Sequence, residues 1–149
     1  MPAENVAAFL KATTEFFIKK ATATSDEKMK LFCIEKAIQF LHDQQHLAMM
    51  SKWMTEPDSA FKLDPAQRYS VLKTYFACPH FDIEQKRALK DAVLKDDTTD
   101  EGKICEKACE LLLPDAALKE ELWKQINDAE SKEALKDLTQ RVTCFFQRK

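Results

Sequence analysis

One glycine, Gly102, is all that the 149 residues contain, against an average usage of about 7%. Turns that need positive φ must therefore be few, which suits helices joined by short polar links and disfavours β-hairpins. Long apolar runs are missing as well. None approaches the ~20 residues that cross a bilayer, and the first residues lack the basic start and apolar core of a signal peptide. Neither sign of charge dominates: 23 basic against 25 acidic residues give −2, and no face reads as basic. Nucleic acid and membrane are set aside as partners.

What is present is 45% hydrophobic and 32% charged, the balance of a folded chain and not of a disordered one. A single domain over 1–149 fits this length. Five cysteines, Cys33, Cys78, Cys105, Cys109 and Cys144, cannot all pair within one chain. They fall inside apolar helical runs, as buried reduced thiols do in a reducing compartment, so a cytoplasmic setting is expected.

Start and stop signals divide the chain into about eight helices. Pro2 opens the first, with Val6, Phe9, Leu10, Phe16 and Phe17 as its apolar set. Ser25 or Asp26 caps the second, carrying Met29, Phe32, Cys33, Ile38 and Leu41. A short third runs around Leu47 to Met54 and ends at Pro57. Asp64-Pro65 opens a fourth that closes at Cys78-Pro79, and Asp82 with Gln85 has the spacing of a capping box for a fifth. The sixth carries Ile104, Ala108, Leu111 and Leu112 up to Pro114, and the seventh Leu118, Leu122 and Ile126. The last starts at Ser131 and carries Leu135, Leu138, Val142, Phe145 and Phe146. No stretch alternates with period two, so the fold class is all-α. Starts near Asp82, Thr99, Asp115 and Ser131 recur every 16 to 17 residues. Two helices per unit of about 33 residues is the period of a helical-hairpin solenoid, so antiparallel helices stacked as an α-α superhelix are expected.

Three constellations could carry chemistry. His42-Asp43-Gln44-Gln45-His46 places two histidines at i and i+4, the spacing of H-E-x-x-H zinc helices. Its middle acid is one methylene short for a general base, and the segment reads as a solvated helix terminus. Cys105 and Cys109 share that spacing without a third ligand and read as buried structural thiols. Cys78-Pro79-His80 suggests a thiol beside an imidazole, but the proline turns the chain between them and an interhelical loop is the simpler account. Trp53 and Trp123 read as anchors at helix interfaces. Lys119, Glu120, Glu121 and Lys124, like Lys86, Arg87 and Lys90, read as solvated faces with i, i+4 pairing. One glycine makes no phosphate loop. No catalytic, cofactor-binding or metal-binding residue is assigned.

Several of these elements together resemble one family. Arg68-Tyr69-Ser70-Val71-Leu72 opens a helix, and Asp97-Thr98-Thr99-Asp100-Glu101-Gly102 forms an acidic-Thr-x-x-Gly turn. A helix ended by Pro114 follows, then Lys119 and Trp123 four residues apart, and a final Phe146-Gln147. In this order, over roughly Asp64 to Gln147, the chain resembles the C-terminal helical domain of the aminopeptidase N family of zinc metallopeptidases, which includes the alanyl and puromycin-sensitive enzymes. Met1 to Leu63 is compatible but carries no family marker. The family's zinc helix, distal glutamate ligand and Gly-Ala-Met-Glu-Asn segment lie in upstream domains, so none of its catalytic residues maps onto this sequence.

The resemblance implies a piece of a larger enzyme, with Met1 an expression start. Such a domain arches over the catalytic domain, encloses the active-site cavity and controls peptide access. Its partners would be the parent's catalytic domain and peptide substrates, and zinc would be bound only by the parent. The chain alone should be inactive, and the apolar face Val142, Phe145 and Phe146 should promote self-association of an isolated fragment. The alternative from another class is a free-standing helical-repeat scaffold that binds a protein or peptide on its concave face.

Overall fold

The computed structural model describes residues 3–127, 139 and 141–143. Among these residues the chain forms seven helices and no strand: α1 Ala3–Ala23, α2 Glu27–Gln39, α3 Gln44–Thr55, α4 Pro65–Ala77, α5 Ile83–Leu94, α6 Asp100–Leu111 and α7 Ala116–Ile126. No described residue has positive φ, Gly102 included, as the scarcity of glycine requires. None of the described helices is long and apolar enough to cross a membrane.

Most helix starts are set by side-chain oxygens that accept otherwise unpaired backbone N–H groups. Asp26 accepts from Lys28 and Met29, Asp43 from His46, Thr99 from Gly102 and Asp115 from Leu118. Asp64 and Gln67 bond reciprocally ahead of α4 (2.8 and 3.1 Å), and Asp82 with Gln85 completes the expected capping box of α5. The helix expected from Ser131, with Leu135, Leu138, Phe145 and Phe146, lies outside the described residues apart from Thr139 and a helical stretch at 141–143.

The residues divide into two compact units, Met1–Thr74 and Tyr75–Lys149, so that the division falls within α4. In the first unit α1 and α2 pack on each other. The seam of α1 is Leu10, Thr14, Phe17 and Ala21, at steps of four, three and four, with Thr14 and Ala21 fully buried. The apolar set read from the sequence is therefore only half right. Leu10 and Phe17 face inward, but Phe9 and Phe16 are 57% and 52% exposed, and Met29 and Phe32 of α2 are 50% and 48% exposed. The buried face of α2 is instead Cys33, Ile34 and Ala37. Phe17 stacks on Phe40, with ring centres 6.2 Å apart. Helix α3 buries His46, Leu47, Met50 and Trp53, and Trp53 meets Phe61 edge-on at 4.8 Å.

In the second unit α5 and α6 lie in contact. Helix α6 buries Gly102, Cys105, Ala108 and Cys109 on one face, and α7 buries Leu122. Trp123, expected at a helix interface, is 48% exposed. Lys86 is the larger correction. Expected on a solvated face, it is 1% exposed, because the buried face of α5 runs from Lys86 to Val93. Lys90 does not pair along its own helix with an i+4 acid either. Its ammonium crosses to α6, 2.8 Å from Glu110 Oε1 and 3.9 Å from Glu106 Oε1. The i, i+4 expectation holds for the exposed Glu120–Lys124 pair at 3.2 Å.

Candidate functional site

The two histidines that mimic a zinc helix stand on different elements. Helix α2 has ended by Gln39 and α3 begins at Gln44 with Asp43 as its cap. His42 is thus exposed in the link, while His46 sits in the first turn of α3 and is 8% exposed. The reading as a solvated terminus fits His42 and fails for His46. Asp43 Oδ1 accepts the backbone N–H of His46 (3.1 Å) and Oδ2 pairs with its Nδ1 (2.5 Å). Burial opposes ionisation of Asp43. The side-chain and backbone bonds from His46, with the charges of His46 and Lys11, outweigh it and hold the carboxyl below its usual range. The arrangement locks a helix start, and the imidazole is part of the lock.

A second cluster forms where α4 ends, the chain turns and α5 begins. Tyr75 and Cys78 are each 7% exposed, Phe81 stacks on Tyr75 with ring centres 3.9 Å apart, and Asp82 caps α5. Lys86, in the first turn of α5, is buried close enough to Cys78 and Asp82 to feel their charge. Burial lowers the Lys86 pKa, and the nearby Cys78 and Asp82 offset part of that effect. Burial raises the Tyr75 phenol, helped by the same two groups. His80 is exposed, whereas Cys78 is buried. A thiol, a phenol, a carboxylate and an ammonium therefore share one neighbourhood in this unit. Sequence reasoning missed its key member, since a lysine flanked by Gln85 and Arg87 looks solvated.

Cys105 and Cys109 are buried, at 3% and 0% exposure. Hydrogen bonding with Cys105, and then burial, push the Cys109 thiol far up. It remains protonated near neutrality, and a thiol that does not ionise is a poor nucleophile. Cys33, Cys78, Cys105 and Cys109 are all free and buried, as expected, and Cys144 lies outside the described residues. Among the described residues no group of three His, Cys, Asp or Glu side chains could hold a metal ion.

The turn from Asp97 to Gly102 is closed by its own hydrogen bonds. Asp97 Oδ1 accepts from Thr99 N (3.0 Å) and Thr99 Oγ1 (2.6 Å), and Thr99 Oγ1 accepts from Gly102 N (3.0 Å). At the far end of α6, Lys119 Nζ donates to Leu111 O (3.0 Å), satisfying a carbonyl that the helix end leaves open. A groove of about 330 Å³ runs beside α5 and α6, lined by Lys90, Lys95 and Lys103 and by Asp91, Asp97 and Glu106 around Leu94. Lys90 there is held by Glu110, and Lys103 lies 3.7 Å from Asp100. The lining is a balanced set of charges with no focused sign.

Comparison with protein-family models, curated proteins and solved structures gives no match.

Proposed function

We propose that this chain is a non-catalytic helical domain of a larger zinc aminopeptidase of the aminopeptidase N type, in which it walls the active-site cavity and limits which peptides enter. Its helices would stack as an antiparallel α-α superhelix. The observation that carries the reading is that several of the marker residues, those at both ends of α6, are the joints of consecutive helices. Asp97, Thr99 and Gly102 lock the start of α6, and Lys119 of α7 closes its end. Residues with that role specify a helical architecture. The caps Asp82, Thr99 and Asp115 stand 17 and 16 residues apart, a regular rise that suits a solenoid. A wall of this kind acts on specificity and turnover by excluding water and shaping the cavity, without supplying an acid or base. Zinc would reside in the parent's catalytic domain, and a cytoplasmic location belongs to the same proposal.

The test is an assay of the purified chain on an aminoacyl-amide substrate, with and without added zinc. No hydrolysis is expected in either case. Zinc-dependent hydrolysis that His42→Ala abolishes would overturn the reading. A free-standing scaffold that binds a protein partner is the second reading, and the half-exposed phenylalanines of α1 and α2 are the observation that favours it.

A further inference from the structure

The first unit leaves uncovered a face that most soluble proteins would bury. On α1, Val6, Phe9 and Phe16 follow one stripe at steps of three and seven, and Phe9 and Phe16 are more than half exposed. On α2, Met29 and Phe32 lie one turn apart and are about half exposed. The two helices join into one patch through their rings: Phe16 meets Phe17 edge-on at 5.3 Å, and Phe17 meets Phe32 at 6.4 Å. Contiguous apolar surface of a few hundred Å² marks an interaction site more often than a neutral surface.

The charges at the rim say what kind of partner fits. Lys20 stands over the Phe16 ring at 5.8 Å and Lys36 over the Phe32 ring at 5.6 Å. Neither ammonium has a carboxylate partner among the described residues; Lys36 bonds only the neutral Gln39 at 2.9 Å. Of the carboxylates on these two helices, Glu15 and Glu27 are held by Lys19 (2.9 Å) and Lys30 (2.6 Å), while Glu35, next to Lys36 in the chain, is exposed. The patch is therefore aromatic at its centre and cationic at two points of its edge. A second copy presenting the same patch would bring two more such lysines to that edge.

We infer that the α1–α2 hairpin is a docking surface for an amphipathic helix of another polypeptide, whose apolar stripe covers Phe9, Phe16, Met29 and Phe32 and whose flanking carboxylates meet Lys20 and Lys36. Apolar burial supplies the attraction, and the two ion pairs set orientation and discriminate between partners. The inference stands apart from the aminopeptidase reading, since it uses only the first unit.

Two synthetic helical peptides test it. Each is about 18 residues long with leucines at i, i+3, i+4 and i+7; one is flanked by glutamates and its twin by lysines. Binding to the full chain is read by fluorescence anisotropy. The glutamate peptide should bind at least about tenfold tighter than its twin, with a margin that shrinks as salt is raised. Lys20→Glu with Lys36→Glu should invert the preference, and Phe16→Ser with Phe32→Ser should abolish binding of both peptides. All four positions are partly or fully solvent-facing, so the variants should keep the parent's circular dichroism and melting temperature. Equal binding of the two peptides, or binding by neither, overturns the proposal. So does a sedimentation experiment in which the chain alone forms a dimer that the serine variant dissolves, because the face would then belong to a second copy.

Discussion

The carboxylate of Asp97 lies so close to Gly102 that a Cβ at position 102 would meet Asp97 Cγ and Oδ1 at 2.6 Å. The carboxylate cannot simply turn aside, since Thr99 N and Oγ1 both bond it. Gly102 has ordinary helical φ, so close approach, not backbone freedom, makes it glycine. Alanine in place of a helical glycine ordinarily gains about 1 kcal/mol. Here Gly102→Ala should cost about 1–3 kcal/mol instead, as overpacking does. Chemical denaturation measures it, and Asp97→Ala in the same chain should recover part of the loss, a coupling that independent sites would not show.

Lys86 should be a net cost to the fold. It is 1% exposed and no carboxylate forms an ion pair with it among the described residues. Lys86→Met keeps the buried stem and removes the charge, and should stabilise the protein by about 1–3 kcal/mol at neutral pH. Burial lowers the native pKa of this amine, so between that value and about 10.4 the unfolded chain binds more protons. Wild-type stability therefore gains from Lys86 as pH rises through this window, and the methionine variant should lose that gain. Denaturation midpoints from neutral to alkaline pH decide the point.

Asp43 should govern part of the acid limb. Its carboxyl is held low in the folded state, so the stability it contributes is complete above about pH 4 and is lost as pH falls through the depressed native pKa. Asp43→Asn should cost about 1 kcal/mol near neutrality, a typical value for a weakened cap, and should flatten the loss below pH 4. An unchanged acid slope in the variant would contradict this assignment.

Thr14 occupies a core position of α1 at 0% exposure, and its hydroxyl has no hydrogen-bond partner among the described residues. Thr14→Val should raise stability by about 1 kcal/mol, the scale of an unsatisfied buried polar group. Thermal melts compare the two directly.

The helix starts were legible because capping is local: Asp26, Asp64, Asp82, Thr99 and Asp115 each act within four residues of themselves. The all-α class was legible for the same reason, through the period of the stripes. Which side of each stripe is buried depends on the neighbouring helix, and there polarity misleads. Thr14 is inside and Phe16 outside, Lys86 inside and Trp123 outside. The His42–His46 segment, read as one solvated helix terminus, divides instead, since Asp43 starts a new helix and His46 is buried in its first turn. In the turn at Asp97 the sequence marked the right residues, but only the 2.6 Å approach explains why glycine stands at its end.

The central claim is that this chain walls the cavity of a larger peptidase, and the most direct measurement is the size of the native polypeptide in source cells, detected with an antibody against the chain and then sequenced. The account expects a product several times larger than 17.2 kDa, with an H-E-x-x-H segment upstream of residue 1. A native product of only this mass would contradict it, and the aromatic face of α1 and α2 would then be the place to look for what the protein does.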